Sequence, residues 1–194
     1  MAEGEENVAV TLRRRRFTLD QYHRMGETGI LSPDDRVELI EGEVVEMTPI
    51  GSRHAATVAR IHHLFSTRLG DRAVVWSQNP LLLVRLQSEP EPDLMLLAPR
   101  SDFYASGLPE PPAVRLLVEV ADSSLLYDQR TKFPLYARAA VAEAWLVDLE
   151  ANRVQIHRDP GSSGYREVFV PGADERFAPL AFLDLTFTRR DLLG

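Results

Sequence analysis

Three residues able to manage a metal ion and a phosphate recur in one half of this 194-residue chain: Asp93, Glu119 and Lys132. Asp93 follows Pro92 and opens the apolar run Leu94 to Ala98, while Glu119 stands near the end of the run Val114 to Val120. A lone carboxylate inside Leu117-Val118-Glu119-Val120 is costly to bury unless a cation or hydrogen-bond donors surround it. Hard divalent cations prefer oxygen ligands, so the pair suits Mg²⁺, with Mn²⁺ as a substitute. An ammonium beside such a site can orient a water molecule and stabilise charge developing on phosphate. Of the 22 basic residues, 21 are arginine and the remaining one is Lys132. An arginine-biased composition accounts for the excess, but not for the place of the one compact point charge. These parts point to metal-dependent phosphodiester hydrolysis, provided that the two apolar runs are neighbouring strands.

Further candidates lie upstream. Val37-Glu38-Leu39-Ile40 and Val44-Val45-Glu46-Met47 alternate around Glu41-Gly42 as a hairpin does. Period two puts Glu38 on an apolar-neighboured face, and its two readings are a solvated edge acid and an accessory acid of the site. Ser52 is a candidate cap for a helix over 53–69, with Ala55, Val58, Ile61, Phe65 and Leu69 as its apolar stripe. His54 and Arg53 stand at the start of that helix, where free N–H groups favour anions. They read either as a phosphate-holding pair or as capping and packing residues.

The elements that must position these groups follow in order. Thr18 caps a short helix whose Leu19, Tyr22 and Met25 face inward. Ala73 to Gln78 and Leu81 to Leu86 read as two strands around Asn79-Pro80, or as one strand with an edge bulge. The prolines at 109, 111 and 112 with Gly107 mark 99–113 as a surface loop. Near-continuous apolarity over 114–120 suggests a strand buried on both faces. A helical run over 125–140 has Leu126, Phe133, Tyr136 and Ala137 inward. Pro134 predicts that its regular part begins near Phe133, with Lys132 at or just before the start. Strands over 144–148, 153–158 and 165–170 complete a mixed central sheet flanked by helices, an α/β (mixed α+β) class.

Composition narrows the setting. There is no cysteine, which excludes disulfides and thiolate metal sites. The polar, acidic start is no signal peptide and no apolar run reaches membrane-spanning length, so a cytoplasmic protein without membrane contact is expected. Residues 1–16 read as a disordered flank ending in the basic run Arg13 to Arg16, and 17–194 as one domain. Net charge is −7, which argues against a general nucleic-acid coat. Residues 51–90 nonetheless carry five arginines against two acids, so any nucleic-acid contact is local.

The ordered pieces from Phe17 to Val170 resemble the Uma2 family (DUF820), a restriction-endonuclease-like group of the PD-(D/E)XK nuclease superfamily. They are Phe17 to Tyr22, Val37 to Glu43, Ser52-Arg53-His54, Glu91-Pro92-Asp93, Leu117 to Val120, Lys132 with Tyr136-Ala137-Arg138, and Glu143 to Asp148. The resemblance implies a restriction-endonuclease-like sheet, metal ligation by Asp93 and Glu119, and Glu38 as accessory acid. It implies a Mg²⁺-dependent endonuclease acting on DNA, and because cutting both strands needs two sites or two visits, a homodimer is expected. Ala121 stands two positions after Glu119, where the superfamily's usual motif has lysine. The resemblance assigns that place to Lys132, from the following helix. Two other classes remain open: a nuclease-fold protein that binds nucleic acid or a partner without cutting, and a metal-dependent phosphodiesterase for other substrates.

Overall fold

The computed structural model describes residues 14–194, so residues 1–13 of the flank expected to be disordered, Arg13 among them, fall outside it. Helix α1 (Leu19–Glu27) opens on the expected N-cap, Thr18, and the structure adds a capping box in which Thr18 and Gln21 satisfy each other's backbone N–H groups. Strands β1 (Val37–Ile40) and β2 (Glu43–Glu46) form the hairpin. Its turn residues, Glu41 and Gly42, both have positive φ. A Cβ on Gly42 would stand 2.7 Å from Arg16 Cβ and 2.8 Å from the Phe17 carbonyl, so the chain before α1 lies directly against the turn.

Helix α2 (Ser52–Leu69) follows. Its N-cap is Gly51, not Ser52, and makes no side-chain cap bond. Val58, Ile61, Phe65 and Leu69 are buried as the stripe predicts, whereas Ala55 is exposed.

The central sheet has six strands in the order of the chain: β3 (Val74–Trp76), β4 (Leu94–Leu97), β5 (Val114–Ala121), β6 (Glu143–Asp148), β7 (Arg153–Gly161) and β8 (Gly164–Phe169). All neighbours are antiparallel except β5 and β6, which are parallel. That parallel step needs a crossover, supplied by a helical run on one face of the sheet. The run comprises α3 (Leu125–Tyr127), a π-helical turn over Asp128–Lys132, and α4 (Phe133–Arg138). Lys132 therefore stands immediately before the regular helix, and Pro134 falls in its first turn, where no donor is lost. Leu126, expected inward, is 61% exposed.

Alternation along β4 and β5 divides the core. Leu94, Leu96, Val118 and Val120 pack with α2 and with the C-terminal Phe177, Phe182, Phe187 and Leu192. Met95, Leu97 and Leu117 pack with Phe133, Leu135 and Tyr136 of the crossover. The C-terminal residues end in α5 (Arg189–Leu193). Residues 81–86 form no strand. Leu81 and Leu82 donate to the carbonyls of Pro90 and Pro109, and a 3₁₀ turn follows over Val84–Leu86. Leu81 and Leu83 are buried by these tertiary contacts, which gives the segment a strand-like composition without a ladder. Among the described residues, no helix is long and apolar enough to cross a membrane.

Candidate active site

Strand pairing decides where the carboxylates meet. Leu94 of β4 lies opposite Val118 of β5, so Asp93, just before β4, reaches the level of Glu119. Asp93 N–H donates to Glu119 Oε2 at 3.3 Å, and Asp93 Oδ2 accepts from Val120 N–H at 2.8 Å. Glu119 alternates with Leu117 and Ala121, which places it on the crossover face of the sheet.

The crossover then brings the cation. Lys132 Nζ lies 2.8 Å from Glu38 Oε1 and 3.1 Å from Glu119 Oε1. One turn later, Tyr136 donates its hydroxyl to Glu119 Oε1 at 2.5 Å. Glu38, on the hairpin, also accepts the Glu91 N–H at 2.8 Å and is 2% exposed. His54 Nε2 lies 3.0 Å from Asp93 Oδ2, which attaches the start of α2 to the same cluster.

The structure thus gathers Glu38, His54, Asp93, Glu119 and Lys132 around one cavity of about 770 Å³. Arg53 does not line it. Its guanidinium lies 3.7 Å from Asp122 and donates to the Leu149 carbonyl.

Electrostatics show what the cavity lacks. Seven carboxylates line it, against the fixed positive charges of Arg36 and Lys132. Burial raises the Glu119 carboxyl to about 8, with Asp93, Asp128 and Glu38 adding to the effect and Lys132 opposing it. Asp128 rises to about 6, again chiefly through burial, although Ser124 donates to it at 2.6 Å. Burial alone would depress the Lys132 ammonium. The Glu119 and Glu38 carboxylates outweigh that cost and raise it, so the side chain stays charged. Burial would likewise depress the His54 imidazole, but its bond to Asp93 and the charges of Asp93, Asp122 and Asp128 raise it.

A surplus of buried negative charge on hard oxygen donors suits a divalent cation. Two carboxylates from adjoining strands match Mg²⁺, which keeps several of its waters. Among the described residues, no group of three His, Asp or Glu side chains is gathered tightly enough to enclose a cation.

A family profile described as "Putative restriction endonuclease", Uma2, matches residues 19–190. The chain belongs to the Uma2 family. A crystal structure described as a "putative nuclease belonging to DUF820" from Anabaena variabilis ATCC 29413 superposes with a TM-score of 0.69. It shares 16% identity, and the match covers 91% of this chain and 97% of that one, a likeness of fold. Among curated protein sequences, none is similar enough to register as a relative.

Within the Uma2 chain the sequence pattern does not single out Asp128, Tyr127 or Tyr136 as site residues. Asp128 and Lys132 are four apart on one helical run, and Tyr136 is four further on. That spacing was the available signal. It gains meaning only once Lys132 is known to face Glu119.

Proposed function

We propose that this chain is a Mg²⁺-dependent endonuclease hydrolysing DNA phosphodiester bonds, with Asp93 and Glu119 as metal ligands and Lys132, assisted by Glu38, beside them. The observation that carries the reading is the Lys132 ammonium, buried between Glu38 and Glu119 on the wall of an acid-lined cavity that also holds Asp93. A divalent cation bound there would polarise the phosphoryl group and lower the pKa of the attacking water. Lys132 supplies a fixed positive charge that orients the water and stabilises the phosphate oxygens. Its two carboxylate partners hold the ammonium in place and keep it protonated. Tyr136 fixes the rotamer of Glu119 through its hydroxyl, and His54 does the same for Asp93. Mn²⁺ is expected to substitute for Mg²⁺.

The surplus of carboxylates also favours a second reading, in which the fold binds nucleic acid or a partner without cutting. Calorimetric titration of Mg²⁺ and Mn²⁺ into wild type and Asp93→Ala separates the two. Each protein is then incubated with supercoiled plasmid and with circular single-stranded DNA. Metal binding and cleavage lost together in Asp93→Ala, with an unchanged circular dichroism spectrum, are expected. Cleavage should fall by about 10³-fold in Lys132→Met. Failure of the wild type to bind either metal would sink the nuclease reading.

A further inference from the structure

We infer that the cavity takes one unpaired strand of DNA, its base laid against an apolar wall beside the carboxylates, and not an intact duplex. This rests on the nuclease reading above and names its substrate class. Three observations carry it.

The first is recession. Glu38, Glu119 and Lys132 are each less than a tenth exposed, and the Asp93 side chain is 13% exposed. A scissile phosphate must therefore enter the cavity. A single strand, whose backbone can bend around one linkage, reaches such groups more readily than a stiff duplex.

The second is charge. A duplex carries one phosphate per roughly 1.7 Å of its axis, and each strand alone about half that density. Against seven carboxylates and two fixed cations, the lower density meets less repulsion.

The third is an apolar wall inside a polar cavity. The connection between β2 and α2 supplies Met47, Pro49 and Ile50, and the helical run supplies Tyr127. Ile50 is 37% exposed although it is a large apolar residue. The Tyr127 hydroxyl is buried and has no hydrogen-bond partner among the described residues. Paired bases bury their faces and offer only groove edges. An unpaired base has a free face for the apolar wall and free polar edges for the Tyr127 hydroxyl and for Gln78, which also lines the cavity.

The test uses the wild-type protein with Ca²⁺ in place of Mg²⁺, an oxygen-preferring cation of looser geometry, so that binding is measured without turnover. Fluorescence anisotropy compares a short labelled single strand with the same sequence annealed to its complement. Wild-type cleavage of both substrates is followed in parallel in Mg²⁺. The single strand is expected to bind about ten-fold more tightly and to be cut faster. Ile50→Ser, measured under the same conditions, removes the apolar contact without adding charge and should weaken single-strand binding by about ten-fold and leave duplex binding unchanged. Its circular dichroism melt should stay unaltered, because Ile50 is partly exposed.

Equal or tighter duplex binding would overturn the inference, as would an Ile50→Ser variant that binds the single strand normally. Preferential cutting of the duplex would overturn it while leaving the nuclease reading intact. Preferential single-strand binding without cleavage of either substrate would support the strand preference and reject the nuclease. Absence of both binding and cleavage would reject both.

Discussion

Two buried glutamates on neighbouring parallel strands have opposite fates. Glu143, at the start of β6, is fully buried and completely partnered. Oε1 accepts from Trp145 Nε1 and from Arg158 Nε, each at 2.9 Å, and Oε2 accepts the Leu180 N–H at 2.6 Å. Arg158 in turn donates to the Ala178 carbonyl at 2.6 Å. This pair clamps the C-terminal segment to the sheet. Glu119, on β5, has Lys132, Tyr136 and the Asp93 N–H as partners but shares its cavity with six other carboxylates, and its affinity for a proton is raised. Burial of an acid thus carries no functional meaning by itself. What distinguishes the two places is whether the protein alone neutralises the charge.

The largest expected effect breaks the satisfied pair. Glu143→Ala leaves the Arg158 guanidinium, Trp145 Nε1 and Leu180 N–H without their acceptor. Unfolding in urea should show a loss of about 3–5 kcal/mol. Cleavage per folded molecule should hold near wild type, whereas Lys132→Met is expected to lose it. If both variants lost stability alike and activity alike, the contrast between the two glutamates would be void.

The same contrast explains how much the sequence could disclose. A lone charge in an apolar strand was legible at Glu119, and the proline-led acid at Asp93, because both signals are local. The hairpin, the capped first helix and the start of α4 near Phe133 were legible for the same reason. Glu143 is equally lone in its strand, yet its role depends on Arg158, 15 residues away, and on Leu180, 37 residues away. The segment 81–86 misleads because Leu81 and Leu83 are buried by loop contacts while their N–H groups go to Pro90 and Ser88. Leu126 points outward where helical periodicity turns it in, since the π-helical turn after it changes the phase of the run. Ser52 is displaced as cap by Gly51, a difference of one position that composition does not resolve.

A smaller effect concerns the proton on Glu119. Its carboxyl lies near 8 in the fold and at the ordinary 4.5 when unfolded, so the native state holds more protons in between. Metal-free stability therefore falls as pH rises through that interval, opposite to the usual carboxylate behaviour. Between pH 6.5 and pH 8 the loss should be about 1–2 kcal/mol, and Glu119→Gln should flatten it. The His54 imidazole, also raised, contributes in the same direction, and subtracting the variant curve isolates Glu119. On the metal-ligand role proposed for Glu119, saturating Mg²⁺ should flatten the wild-type curve as well, because a ligand carboxylate binds in its ionised form. A wild-type curve already flat without metal would mean that the cavity does not strain its carboxylate, and the difference from Glu143 would lose its physical basis.

The smallest effect compares two histidines. His54 leans on Asp93 and its imidazole is raised, whereas His157 lies 4.4 Å, centroid to centroid, from the Phe133 ring and close to Tyr165. The Nε2 atom of His157 is buried without a partner, and burial lowers its imidazole to about 4. Between that value and 6.5 the unfolded chain binds a proton that the native state refuses, so stability declines as the solution is acidified. The decline between pH 6.5 and pH 5 should be about 1.5 kcal/mol. His157→Phe keeps a flat ring in the aromatic slot and removes the titrating atom. Its urea midpoint should match wild type near pH 7 and exceed it at pH 5. A variant less stable at both values would show that His157 is held by its hydrogen-bonding capacity, not by its ring. The two histidines would then differ less than their surroundings suggest.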